Sequence, residues 1–123
     1  MGKRILFVDG DQTIVQAVHS MLEAMGHEVQ LETSGADALA AFSRHPADYD
    51  LIITDFGMPD ISGLLLVDKF LKMRADIPIV LLASPEGQAQ SRARENGVCW
   101  FGMKPLSLAE LADTVESALI GAA

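Results

Sequence analysis

Cysteine occurs once in the 123 residues, at Cys99, so no internal disulfide can form; its neighbours Val98 and Trp100 suggest a strand residue rather than a reactive thiol. Long apolar runs are missing too. Gly63 to Val67 and Pro78 to Ala83 fall far short of the roughly 20 residues that span a bilayer, so no transmembrane helix is expected. The first residues contain no apolar signal core and no small-residue cleavage site: two basic residues lead to Ile5–Val8 and then to acids, and a cytoplasmic location is the expectation. Positive charge is scarce. Nine Lys plus Arg against seventeen Asp plus Glu give a net charge of -8, a field that repels phosphate backbones and anionic membranes, so neither direct nucleic-acid binding nor membrane association is expected. The three histidines have no zinc-site spacing: His19 lies off the apolar stripe of its segment, while His27 and His45 sit at helix ends, and all three read as solvated. No repeat, low-complexity tract or linker divides the chain. With half its residues hydrophobic, it is expected to form one domain, 1–123, around one sizeable core.

What is present is a fivefold alternation of strand-length apolar runs with helix-period segments, the pattern of parallel βα units. Ile5–Val8 reads as a buried strand, followed by a helix with Ile14, Val18, Met21, Leu22 and Met25 on one stripe and Gly26 as its stop. Glu28–Glu32 alternates as an edge strand does, and Gly35–Arg44 is a helix ending before Pro46. Leu51–Thr54 is a third strand; Leu66, Val67, Phe70 and Leu71 mark a third helix; Ile79–Leu82 is a fourth strand. The fourth helix, about 86–96, has little but Ala89 and Ala93 to bury, which suggests a mobile or partner-facing element. Val98–Met103 is the fifth strand, and Ser107 with Glu110 makes a capping box for a final helix striped by Leu108, Leu111, Val115 and Leu119. The expectation is a doubly wound α/β sheet in a three-layer (βα)5 sandwich, with ligands bound beyond the carboxyl ends of its strands.

Three strands end in the residue types that phosphoryl transfer needs: Asp9 with Asp11 after the first, Asp55 after the third, and Lys104 after the fifth. Clustered carboxylates repel one another unless a cation sits among them, and a hard ion such as Mg2+ takes oxygen ligands. A carboxylate held there can attack phosphorus, while a lysine balances charge on the transferred oxygens. Each residue alone has an ordinary explanation, since Asp after a strand is a routine helix N-cap, Asp11 could cap the first helix, and Lys104 could be simple surface. Their joint occurrence at three strand ends points to a site.

On these residues, and over nearly its whole length, the chain resembles the receiver domain of two-component response regulators. TDFGMPDISG, Thr54 to Gly63, is similar to the family's phosphoacceptor Asp followed by Met-Pro and a spaced Gly; MKPLS is similar to its Lys-Pro pair, with Phe101 at the aromatic switch position. The resemblance implies a five-stranded parallel sheet of order 2-1-3-4-5, flavodoxin-like, and a cis peptide before Pro105. It implies that Asp55 accepts a phosphoryl group from the phosphohistidine of a histidine kinase or phosphotransfer protein. It also implies Mg2+ held by Asp9, Asp55 and the Gly57 carbonyl. The downstream protein target, or a second copy, is expected to dock on the fourth helix, fifth strand and fifth helix, bordered by Trp100, Arg92 and Glu95. No turnover enzyme is expected beyond self-phosphorylation and self-dephosphorylation at Asp55.

The resemblance departs at two positions. Where the family has two adjacent acids, Gly10 follows Asp9 and the carboxylate comes one residue later, at Asp11, an additional candidate metal ligand. Where the family has Thr or Ser after the fourth strand, this chain has Ala83, with Ser84 as the candidate displaced hydroxyl. Weaker metal binding and a weakened switch are therefore expected. Two rival readings follow. A pseudo-receiver would keep the fold as a phosphorylation-independent docking module. FVDGDQTI also resembles the nucleophile motif of haloacid dehalogenase-type phosphatases, with Asp9 attacking, Asp11 as acid/base, and Ser84 and Lys104 as the next motifs; the paired acids required after the Lys are missing, since Glu110 and Asp113 fall on a helix.

Overall fold

The computed structural model describes residues 2–83, 94–95, 97–98, 100–104 and 106–121. Ser84, Arg92, Cys99, Pro105 and nearly all of the predicted 86–96 helix lie outside these residues. In chain order the described elements are β1 (Arg4–Val8), α1 (Gln12–Ala24), β2 (Glu28–Glu32), α2 (Gly35–Arg44), a short 3-10 turn (Pro46–Asp48), β3 (Leu51–Asp55), α3 (Gly63–Met73), β4 (Ile79–Ala83), β5 (Trp100–Met103) and a C-terminal helix (Leu108–Gly121). The strands form one parallel sheet of order β2-β1-β3-β4-β5.

Successive strand residues face opposite sides of a pleated sheet, so a strand buried on both faces must be apolar throughout. Ile5, Leu6, Phe7 and Val8 meet that demand, each fully buried. Leu6, Val8 and Ile52 pack with Ala38 and Phe42 of α2 and Leu66 and Phe70 of α3. Phe42 meets Phe70 edge-on, with ring centroids 5.4 Å apart. Ile5, Phe7, Leu51 and Ile53 face the other way, onto Val15, Val18 and Leu22 of α1 and Leu111, Val115 and Ala118 of the C-terminal helix. Each large side chain so buried contributes about 1.5–3 kcal/mol. The result is the expected three-layer sandwich.

Four sequence expectations change in detail. Val15 joins the buried stripe of α1, and Ile14, Met21 and Met25 flank it half-buried. Leu108 is 41% exposed, and Ala118 joins Leu111 and Val115 as the buried stripe of the C-terminal helix. β5 begins at Trp100, with Val98 buried ahead of it. His27 is not freely solvated: the Gly26 turn, at φ +91°, folds it back over the start of β1, where Nδ1 accepts the Lys3 N–H at 3.1 Å and Nε2 is buried without a partner among the described residues.

Candidate functional site

The order in which strands are added to the sheet reverses between β1 and β3, which leaves a crevice at their carboxyl ends, and three of the candidate residues meet there. Asp9 follows Val8 directly and is fully buried. Its Oδ1 accepts the Asp11 N–H at 2.9 Å, while Oδ2 lies 3.6 Å from Lys104 Nζ and has no hydrogen-bond partner among the described residues. Burial pushes the Asp9 carboxyl above its ordinary value, and the Asp55 charge adds to the rise against the opposing Asp11 N–H and Lys104 ammonium. Asp55 ends β3, with Oδ1 3.1 Å from Lys104 Nζ. One lysine thus serves two carboxylates, held in place through its own N–H, which donates to the Ala83 carbonyl at 2.9 Å.

The loop after Asp55 is held closely. Phe56 N–H donates to Leu82 O at 2.9 Å, and Gly63 N–H to Phe56 O at 3.1 Å. A Cβ at Gly63 would lie 2.5 Å from that oxygen, so the approach requires glycine. Met58 is buried in the core between them. Gly57 is exposed beside the Asp55 carboxylate, 3.9 Å from Oδ2 to where its Cβ would stand. Asp60 bonds back to α2: Oδ1 accepts the Gly35 N–H and Oδ2 the Ala36 N–H, both at 3.0 Å. Those donations, from Ala36 and then Gly35, hold the Asp60 carboxyl below the ordinary range.

Asp11 does not join the cluster through its side chain. It caps α1, with Oδ1 accepting from Thr13 N–H at 3.0 Å and Ile14 N–H at 3.5 Å, because the orphan donors of a helix start are nearer than the cleft. Ala83 ends β4 with its methyl buried, and no hydroxyl stands there. Phe101 is half-buried against the α2 and α3 side of the core, and the Arg94 guanidinium lies 5.2 Å from its ring centroid. Trp100, expected at an exposed docking border, is half-buried against the opposite face, so close to Gly121 that a Cβ there would sit 2.9 Å from the ring. Glu95 is exposed. Asp60 and Arg94 were not singled out from sequence. Asp after Pro reads locally as a turn residue, and neither contact has a local spacing signal.

No group of three or more His, Cys, Asp or Glu side chains gathers as a metal centre among the described residues. Mg2+ does not need one, since it keeps several waters and binds through one or two carboxylates plus phosphate. The buried, unpartnered Asp9 Oδ2 beside the Asp55 carboxylate is the hard-oxygen pair such an ion takes, so the residues fit it.

Comparison with known proteins points the same way. The family profile for the response regulator receiver domain matches residues 5–116. The two-component response regulator ARR10 of Arabidopsis thaliana is 28% identical over 112 residues, covering 90% of this chain and 20% of that protein. The DNA-binding transcriptional regulator NtrC of Azospirillum brasilense is 37% identical over 118 residues, covering 94% of this chain and 24% of that protein. This chain therefore spans about a fifth to a quarter of the curated relatives it matches. Among solved structures, the CheY-like response regulator receiver domain protein of Methanospirillum hungatei superposes with a TM-score of 0.91 at 25% identity, covering 99% of this chain and 97% of that one.

Proposed function

Because this chain belongs to the response regulator receiver domain family of two-component signal transduction, we propose that Asp55 is its phosphoryl acceptor and a histidine kinase or phosphotransfer protein its donor. An Asp55 carboxylate oxygen forms the new O–P bond as the N–P bond to the donor histidine breaks, and the released imidazole takes up a proton. Lys104, 3.1 Å from Asp55 Oδ1, balances charge on the arriving phosphoryl oxygens. Asp9, Asp55 and the Gly57 carbonyl are the ligands for Mg2+, which when bound supplies charge neutralisation to the phosphoryl group. Asp11 stays on the helix cap in this reading. The domain turns over no separate substrate, its chemistry being phosphorylation and dephosphorylation of itself. It acts in the cytoplasm by presenting the 86–96 segment, β5 and the C-terminal helix to a downstream protein or a second copy. No helix among the described residues is long and apolar enough to cross a membrane.

The observation that carries this reading is the shared Lys104 between Asp55 and a buried Asp9 whose Oδ2 has no other partner among the described residues. Mass spectrometry after incubation with acetyl phosphate and Mg2+ tests it: a base-labile adduct should form on the wild type and be absent from Asp55→Asn. An undiminished adduct on the variant moves the acceptor elsewhere. Absence of any adduct makes the domain a phosphorylation-independent docking module, and multiple turnover of phosphate esters would revive the phosphatase reading with Asp9 as nucleophile.

A further inference from the structure

The segment from Phe56 to Ser62 connects β3 to α3 and carries Gly57, so its course decides what faces the Asp55 carboxylate. A connection of that length left to itself would sample many backbone states. Its base is fixed by the Phe56 and Gly63 backbone bonds and its middle by buried Met58. In its far part Ile61 packs against the core and Ser62 caps α3, and Asp60 supplies the polar tie to α2, through both carboxylate oxygens to the first two N–H groups of that helix. These donors are unpaired within the helix and lie at its positive end, so a carboxylate is the side chain that suits both at once. α2 has its own cap, with Ser34 Oγ accepting the Asp37 N–H at 3.1 Å, so the Asp60 bonds are additional to ordinary helix capping. Gly35 is matched to the contact: a Cβ there would lie 3.3 Å from both Asp60 Oδ1 and Ile61 Cβ. α2 is itself immobilised by buried Ala38, Ala41 and Phe42.

We propose that Asp60 is a positioning residue for phosphoryl acceptance, clamping the acceptor loop to the N-terminus of α2 so that Gly57 and Asp55 keep their reactive arrangement. This rests on Asp55 being the acceptor. Asp60→Asn keeps the size of the side chain but turns an NH2 toward an N–H donor, which breaks half of the clamp. Ser34→Ala is the control: it weakens the start of α2 without touching the loop.

The rate of acyl phosphate formation from acetyl phosphate at saturating Mg2+ is measured well below each thermal midpoint, alongside the NMR shift of the Gly57 amide. Asp60→Asn should slow the reaction about tenfold, since small misplacement of reacting groups is costly. It should also shift the Gly57 amide, yet still reach the wild-type amount of adduct. Ser34→Ala should lower the thermal midpoint and leave the rate and the Gly57 amide as they were. Equal slowing by both variants, or an unchanged rate in Asp60→Asn, would overturn the proposal. If the wild type forms no adduct, Asp55 is not the acceptor, and the proposal falls with that reading whatever the Gly57 amide does.

Discussion

At the ends of β1 and β3 the cleft presents carboxylates that share one lysine, whereas at the end of β4 and on the Phe101 face of β5 the described side chains are apolar and buried or half-buried. Asp9 is buried with one oxygen unpartnered, Asp55 shares its lysine with it, and Asp11 is spent on a helix cap. Opposite them Ala83 is a buried methyl, and Phe101 rests on the core under the Arg94 guanidinium. Removing or adding charge should therefore dominate on the first side, and shape should dominate on the second. Sites that hold buried charge with incomplete hydrogen bonding do so at a cost in stability that a neutral side chain relieves.

The largest effect is expected from Asp9→Asn, which removes a buried charge balanced by a lysine it shares with Asp55 and keeps an acceptor for the Asp11 N–H. It should stabilise the metal-free fold by about 1–3 kcal/mol near neutral pH, the usual penalty of an unsatisfied buried group. The gain depends on pH in a definite direction. The folded Asp9 carboxyl sits above its ordinary value of 3.8, so the folded state binds the proton more tightly than the unfolded chain. The penalty is complete above the folded value and disappears as pH falls below the unfolded one, so the advantage of the variant should shrink in acid. Urea midpoints at neutral and acidic pH check this; identical midpoints for both proteins throughout would dissolve the contrast between the two sides.

Gly10→Asp should come next. A Cβ at Gly10 meets only Thr33 O, at 3.6 Å, so there is room for the side chain and charge alone decides the outcome. Mg2+ affinity should rise about tenfold with the added carboxylate, as affinity follows ligand charge. Stability without metal should fall. An unchanged calorimetric midpoint would mean that Asp11 leaves its cap to serve the ion already.

On the apolar side, Ala83→Thr should cost about 1 kcal/mol through crowding of a closed position. It should leave Mg2+ affinity unchanged and enlarge the NMR response around Phe101 to beryllofluoride, because a ligand shifts an equilibrium only as far as it favours one state. A full Phe101 response in the wild type would show that Ser84 carries the hydroxyl role. The smallest effect belongs to Arg94→Gln. Loss of the cation–π contact is worth about 0.5–1 kcal/mol, enough to alter the Phe101 ring resonances and too little to move the thermal midpoint far. Unaltered resonances would make the contact incidental.

All five strands were legible in the sequence to within one or two residues, and α2 to its ends, because short fully apolar runs and helix-period stripes are local signals. The errors lie where burial depends on what covers an element. Leu108 fits the period of its helix and still faces solvent, while Trp100, placed at an exposed border, is partly covered by the end of the C-terminal helix. At the site, the residues at the strand ends were legible as types and as neighbours, and Asp9, Asp55 and Lys104 do meet. That Asp11 could cap α1 was one reading the sequence left open; which carboxylates share the lysine was not legible.

Sequence alone determined the alternation of strands and helices, the apolar faces between them, and the acids and lysine that parallel strands carry to one edge. Only tertiary structure decided between a helix cap and the cleft for Asp11, left one oxygen of Asp9 without a hydrogen bond among the described residues, and brought Asp60 across 25 residues to Gly35. The physical reason is range. Periodicity and propensity act over a few residues, whereas an aspartate chooses among a nearby helix start, a lysine from another strand and a distant helix only after the sheet has brought all three within reach.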